Sequence, residues 1–326
     1  MNRATEVILK TLRKLHDKFP ISGFRLHRFI GEEQPQCSSD IILSYLQSPK
    51  PCMIARFGST ELNAISNYLA VNAEQHSAWQ MITRRQQQWW WNKKSIDQLT
   101  TWSGFFPNTV ENVADFCKLM LTDSADIDIL CRWLKEEYYI NNYLPKDVKS
   151  IFLLTLEPWW AERPWTACLE GKRVLVVHPF AKLIEKQYAE KRQQLFKNKA
   201  VLPEFHLETL QAVQSLGGES NGFNSWFEAL QWMEHEIDSR DYDICLIGCG
   251  AYGLPLAAHC KRMGKKAIHM GGALQLLFGI RGKRWDNSLY GDGIYFYKDL
   301  FNEHWVYPTD EYKPSSANKV EGGCYW

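Results

Sequence analysis

Three glycines, Gly248, Gly250 and Gly253, follow the apolar run 243–247 at Gly-x-Gly-x-x-Gly spacing and lead into a helical stretch. Backbone free of side chains at that place can approach a phosphate at the positive end of a helix. The motif therefore predicts a diphosphate-bearing ligand, with Tyr252 beside it. A nicotinamide dehydrogenase would add an acid about 20 residues on to hold the ribose. Here the next strand candidate ends instead in His269, Met270, Gly271 and Gly272, so the dinucleotide reading loses its second support; a tight turn with no ligand is the plainer alternative. Just downstream, Gln275 precedes a run, 278–286, in which Arg281, Lys283 and Arg284 crowd together ahead of Asp286. Cations so close repel unless they are solvated or face an anion, and the nearby glycine turn favours the anion.

A second cluster, Arg56, Phe57, Gly58, Ser59, Thr60 and Glu61, lies where an apolar run gives way to helical spacing. A carboxylate there sits where open α/β sheets collect ligands, and it can bind metal, orient a sugar hydroxyl or accept a proton. Spacing alone favours a capping role, with Ser59 or Thr60 as N-cap and Glu61 favoured by the helix dipole. His178, before Pro179 at another strand end, is a phosphate donor or base candidate; a structural hydrogen bond is the commoner use of such a residue. Glu157, followed by Pro158, Trp159 and Trp160, is a strand-end acid beside aromatics and a sugar-site candidate. The chain has no serine nucleophile elbow, no His-Glu-x-x-His and no Walker lysine, which disfavours the classes built on them.

The elements that must hold these residues alternate in the second half. Residues 151–156, 173–177, 243–247 and 267–270 read as short buried strands separated by helical stretches, and 52–57 reads as a strand followed by a helix over 60–69. That alternation predicts an α/β fold, a Rossmann-like parallel sheet with crossover helices. Residues 76–145 read as a helical, aromatic-rich insertion, with 127–139 one of its helices. The predicted organisation is an N-terminal helical segment (1–49), a Rossmann-like domain (50–307) carrying that insertion, and an irregular tail (308–326) containing Pro308, Pro314, Ser315 and Ser316. The loop 217–222 reads as flexible. Over residues 6–19, Leu9, Leu12, Leu15 and Phe19 recur at helical spacing among Lys10, Arg13, Lys14 and Lys18. This predicts a helix packed on its own domain with a solvated basic face, peripheral contact with an acidic membrane surface being the alternative.

Length and composition bound these readings. A chain of 326 residues buries enough surface to need no disulfide or structural metal. Nine cysteines without a Cys-x-x-Cys pair suggest reduced thiols. A formal net charge of +1 argues against a nucleic-acid partner that relies on an overall positive field. No apolar leader or membrane-length run is present, so a cytoplasmic protein is expected. The 14 Trp, 14 Tyr and 16 Phe suit carbohydrate, whose C–H faces pack on aromatic rings, although each ring is read first as filler.

The run 56–62 resembles the Arg-Phe-Gly-Asp-Gly-Glu-Leu stretch of bacterial glycosyltransferases of the GT-D type. The segments 248–258 and 278–285 are similar to proteins encoded with surface-polysaccharide genes. The resemblance covers residues 50–70 and 172–290. It implies a Rossmann-like enzyme that transfers sugar from a nucleotide-sugar donor, usually a UDP-sugar, to a glycan or lipid-linked oligosaccharide, at or near the inner face of the cell membrane. In the family's Asp-x-Glu form both acids are associated with divalent metal, Mn2+ or Mg2+; Ser59 replaces the first, leaving Glu61 as the metal candidate. Arg56, Gly58, Ser59, Thr60, the glycine turn, His269, Gly271, Gly272, Gln275, Arg281, Lys283 and Arg284 would then surround the donor. The proton acceptor stays open among Glu61, Glu157, His178 and Asp286. The alternatives are an NAD(P)-dependent oxidoreductase built on the glycine motif and a non-catalytic nucleotide-sugar or glycan-binding protein.

Overall fold

The computed structural model describes residues 3–287, 290–291, 293–313 and 323–326. Among them run β1 (Cys52–Ala55), β2 (Ile129–Arg132), β3 (Lys149–Phe152), β4 (Arg173–His178), β5 (His206–Gln211), β6 (Ile244–Ile247) and β7 (Lys266–His269). They form one sheet in the order β3-β2-β1-β7-β6-β4-β5, and every pairing is parallel. Parallel strands need both faces covered, which is why the inner ones are short uninterrupted apolar runs. Alternate residues feed two cores. Met53, Ala55, Leu130, Leu175, Val177, Cys245 and Ile247 point to one; Cys52, Ile54, Ile129, Cys131, Val174, Val176 and Ile268 point to the other.

The helices are α1 (Arg3–Lys18), α2 (Pro35–Gln47), α3 (Ser59–Val71), α4 (Ala78–Ile82), α5 (Lys93–Ser103), α6 (Val110–Ser124), α7 (Ala181–Leu195), α8 (Trp226–Asp238), α9 (Gly253–Arg262), α10 (Leu274–Leu277) and α11 (Lys283–Asp286). On the first face α3, α6, α8 and α9 supply the core with Leu62, Phe116, Trp226 and Leu256; on the second α2, α7 and α10 supply Ile42, Ile184 and Leu276. The neighbours β1 and β7 thus send their chains to opposite faces, β1 into α3 and β7 into α10. Diverging connections of this kind open a crevice at the carboxyl edge of a sheet.

The Rossmann-like α/β expectation holds, with five local corrections. Ile129–Arg132 is a sheet strand where 127–139 reads as a helix; Ile127, Leu130 and Leu134 happen to satisfy helical spacing, and a short apolar run does not reveal its period. The stretch 76–145 is therefore no pure helical insertion. The strand expected over 151–156 ends at Phe152 and continues as a 3-10 turn, Leu153–Leu156. The edge strand β5 is largely exposed and polar (His206, Glu208, Gln211), so it carries no buried run to read. The chain end does not trail away: Trp326 is buried in the second core and donates its indole N–H to the Tyr312 carbonyl, while Pro314, Ser315 and Ser316 lie outside the described residues. Finally, α1 turns Leu9, Arg13 and His16 inward and leaves Leu12, Leu15 and Phe19 exposed.

Ile268 lies on β7 between β1 and β6 and is fully buried. Ile268→Ala is expected to cost about 2–5 kcal/mol, whereas Val110→Ala, at an exposed helix start, should stay within about 0.5 kcal/mol. Urea unfolding curves check both.

Candidate functional site

A crevice, open at its mouth, occupies the carboxyl edge of the sheet. Its walls are the turns after β1 (Arg56, Gly58, Ser59, Thr60, Glu61), β4 (His178, Phe180), β5 (Gln214, Ser215), β6 (Gly248, Gly250, Tyr252) and β7 (His269, Gly271, Gly272, Gln275), with Arg284 beyond them. Residues spread over more than 220 sequence positions therefore meet in one place. Five expected members do not line it: Glu157, Gly253, Arg281, Lys283 and Asp286.

The glycine turn explains part of that division. Gly250 has φ +60, is exposed, and a Cβ there would meet nothing within 4 Å, so its backbone is open to a ligand. Gly248 and Gly253 are packing glycines. A Cβ at Gly248 would strike the Gly271 carbonyl and the His178 ring, and one at Gly253 would overlap the His269 ring. Gly253 thus lets α9 press onto β7. Pro255 in the first turn of α9 lacks an N–H, so the anion-binding capacity of this helix end lies in the turn before it. Tyr252 stacks on Trp226 at 4.8 Å and shares a hydrogen bond of 2.8 Å with Ser215, tying the glycine turn to the loop after β5.

The basic run splays. Arg281 pairs with Asp286 at 2.8 Å and lies between the rings of Phe301 and Tyr307; Asp286 also accepts from the Tyr307 hydroxyl. Both are spent on each other, and Lys283 is exposed outside the crevice. Arg284 alone turns in, donating to the Tyr325 hydroxyl at 3.1 Å with its guanidinium over that ring. Across the crevice Arg56 stacks over Trp133 at 5.1 Å, and Trp133 is fixed by donating its indole N–H to the Phe57 carbonyl at 2.9 Å. Among the described residues no carboxylate pairs with Arg56.

Among the described residues, Glu61 is the one carboxylate side chain that lines the crevice, and it is buried. It occupies the first turn of α3, whose N-cap is Gly58; no side-chain cap forms, contrary to the expectation for Ser59 or Thr60. A Cβ at Gly58 would collide with the Glu61 carboxylate, so the missing side chain makes room for the acid. No donor among the described residues bonds it. A hard cation prefers several anionic oxygens, and the same crevice carries two guanidinium groups. This donor set does not fit a resident Mn2+ or Mg2+, and no group of three metal-ligating side chains occurs among the described residues.

Both histidines are neutral. Burial pushes His178 down to about 3, and its Nδ1 accepts the Phe180 N–H at 2.9 Å, which leaves Nε2 to carry the hydrogen. Burial, helped by Arg56, likewise lowers His269 to about 3. Neither can accept a proton near neutral pH. Glu157 faces an adjoining smaller cavity, shared with Arg56, Gly272, Arg284 and Tyr325, and accepts from Tyr297 (2.7 Å) and Trp160 (2.8 Å). Burial raises it to about 8, so it is protonated at neutral pH.

Sequence reasoning missed Trp102, Trp133, Tyr325 and Trp326, all of which line the crevice. Trp133 follows the misread β2. Tyr325 packs against Gly272, and Gln275 bonds its carbonyl; no local pattern announces that a chain end will return to the sheet edge. Comparison with known proteins returns no match, whether to a protein-family model, a curated protein or a solved structure.

Because Glu157 binds its proton more tightly when folded, it supports the fold fully below pH 4.5 and loses that support as pH rises through about 8. Glu157→Gln keeps an acceptor oxygen and cannot ionise. Its stability relative to the native protein is expected to climb between pH 4.5 and 8 and then level off; a pH-independent difference in urea midpoints would contradict the buried neutral carboxyl.

Proposed function

We propose that the protein is a glycosyltransferase that takes a sugar from a nucleotide-sugar donor, a UDP-sugar above all, and passes it to a glycan or lipid-linked glycan of bacterial surface polysaccharide, as the GT-D-like motifs imply. The observation that carries the reading is the meeting in one crevice of an open glycine turn, two guanidinium groups and one buried carboxylate. Gly250, Arg56 and Arg284 would hold the diphosphate, with the His178 Nε2–H as a further donor. Charge that builds on the departing diphosphate would be met by fixed cations in a partly water-excluded site, where such interactions are strongest. Arginine at these positions takes over the role that a metal plays in the Asp-x-Glu form.

Transfer with inversion needs a group to accept the acceptor hydroxyl's proton. Of the four candidates, Asp286 is outside the crevice, His178 is neutral with its basic nitrogen occupied, and Glu157 is already protonated. Glu61 is left as the base. The oxidoreductase alternative gains nothing, because β7 ends in His269 where a ribose-binding acid would stand.

The test is nucleoside diphosphate release over a panel of UDP-sugars with glycan acceptors. Glu61→Gln is expected to lower turnover by about 10²–10⁴ while leaving UDP affinity nearly unchanged. Turnover undiminished in that variant removes Glu61 from the reaction, and binding without turnover across a broad acceptor panel favours a non-catalytic binder. Arg56→Ala and Arg284→Ala should each weaken UDP binding by roughly 10–100-fold, the worth of a charge-assisted hydrogen bond. Lys283→Ala should leave it unchanged. Calorimetric titration distinguishes the three.

A further inference from the structure

The helix α1 is mounted with its apolar stripe outward. A surface helix of a globular protein buries such a stripe and shows its charged side to water. Here the side turned to the body holds Leu9 with the polar Arg13 and His16; Arg13 donates to the Gln87 side chain at 2.8 Å and His16 shares a hydrogen bond of 2.9 Å with Ser22. Ile8, Leu12, Leu15 and Phe19 recur at helical spacing on the outside, with Ile8 58% and Phe19 71% exposed. Ile21, just past the helix, extends the patch at 82%.

Charge around the stripe is one-sided. The first 30 residues hold seven Lys and Arg against two acids, a net +5 in a chain whose total is +1. Both acids are already matched, Glu6 by Lys10 and Asp17 by Arg84. Lys14 and Lys18 remain exposed beside the apolar stripe. An exposed apolar row edged by lysines is the pattern of a helix lying in the plane of an anionic bilayer, where apolar burial and attraction to acidic headgroups add. No helix among the described residues is long and apolar enough to cross a membrane. Trp79, 53% exposed on α4 against which α1 packs, supplies a ring suited to the headgroup region.

We propose that α1 docks the protein on the surface of an anionic lipid bilayer, with Ile8, Leu12, Leu15 and Phe19 seated in the headgroup boundary and Lys14 and Lys18 facing acidic headgroups. The docking is independent of the sugar-transfer reading, since it uses no residue of the crevice.

The experiment is co-sedimentation of the full chain with vesicles of phosphatidylcholine alone or mixed with phosphatidylglycerol. The protein should pellet with the anionic vesicles, and raised salt should weaken the binding. Lys14→Ala/Lys18→Ala should reduce partitioning roughly 25-fold, about fivefold per lysine. Leu12→Ser/Leu15→Ser should abolish it while leaving the urea unfolding curve in place, because both side chains are exposed. Failure to bind anionic vesicles overturns the proposal, as does binding that both double variants retain. A concentration-dependent dimer in analytical ultracentrifugation that Leu12→Ser/Leu15→Ser dissolves also overturns it, by assigning the stripe to a second copy of the chain.

Discussion

A parallel sheet covered on both faces has little room for chemistry except at its ends, and the arrangement of this protein follows from that constraint. The inner strands commit their side chains to one of two cores, so polar and charged side chains collect where those strands stop. The β1 and β7 chains leave for opposite faces, and the gap between them is the crevice. Arg56, Glu61, His178, His269 and the glycine turn stand there because each ends a strand or follows one closely. A helix above and a helix below could not both cover that edge.

Electrostatics within the crevice are set by burial as much as by residue type. The two histidines are held neutral, and the acid behind the wall, Glu157, is held protonated. Among the described residues, the basic and acidic side chains that line the crevice beside them are Arg56, Arg284 and Glu61. Arg56 and Arg284 are both braced by aromatic rings, Trp133 and Tyr325. The proposed donor, a diphosphate joined to a sugar, would set its anionic part against these guanidinium groups.

Much of the site was legible in the sequence. The turns after β1, β4, β6 and β7 each combine an apolar run with polar or glycine residues, and that local change survives any error in element boundaries. Three kinds of information were not legible. Which glycines are open and which are packing spacers depends on what lies opposite, so Gly250 and Gly253 look alike until His269 is seen above one of them. Three cations in a short run read as a single patch, yet Arg281 precedes the one-turn helix that carries Lys283 and Arg284, and an acid five residues on from Arg281 absorbs it. The chain end reaches the crevice through contacts with Gly272 and Gln275 that no local spacing encodes. The sheet was harder to read at its margins, where β2 shares its apolar spacing with a helix and β5 is too exposed to stand out.

The claim on which the rest depends is that this crevice grips a nucleoside diphosphate through the Gly250 backbone and the Arg56 and Arg284 side chains. A crystal structure of the protein soaked with UDP tests it most directly. The expected density places the two phosphates beside Gly250, within hydrogen-bond reach of both guanidinium groups and on the same side as Glu61. Density for UDP elsewhere on the molecule, or phosphates in the crevice that neither arginine touches, would contradict the account.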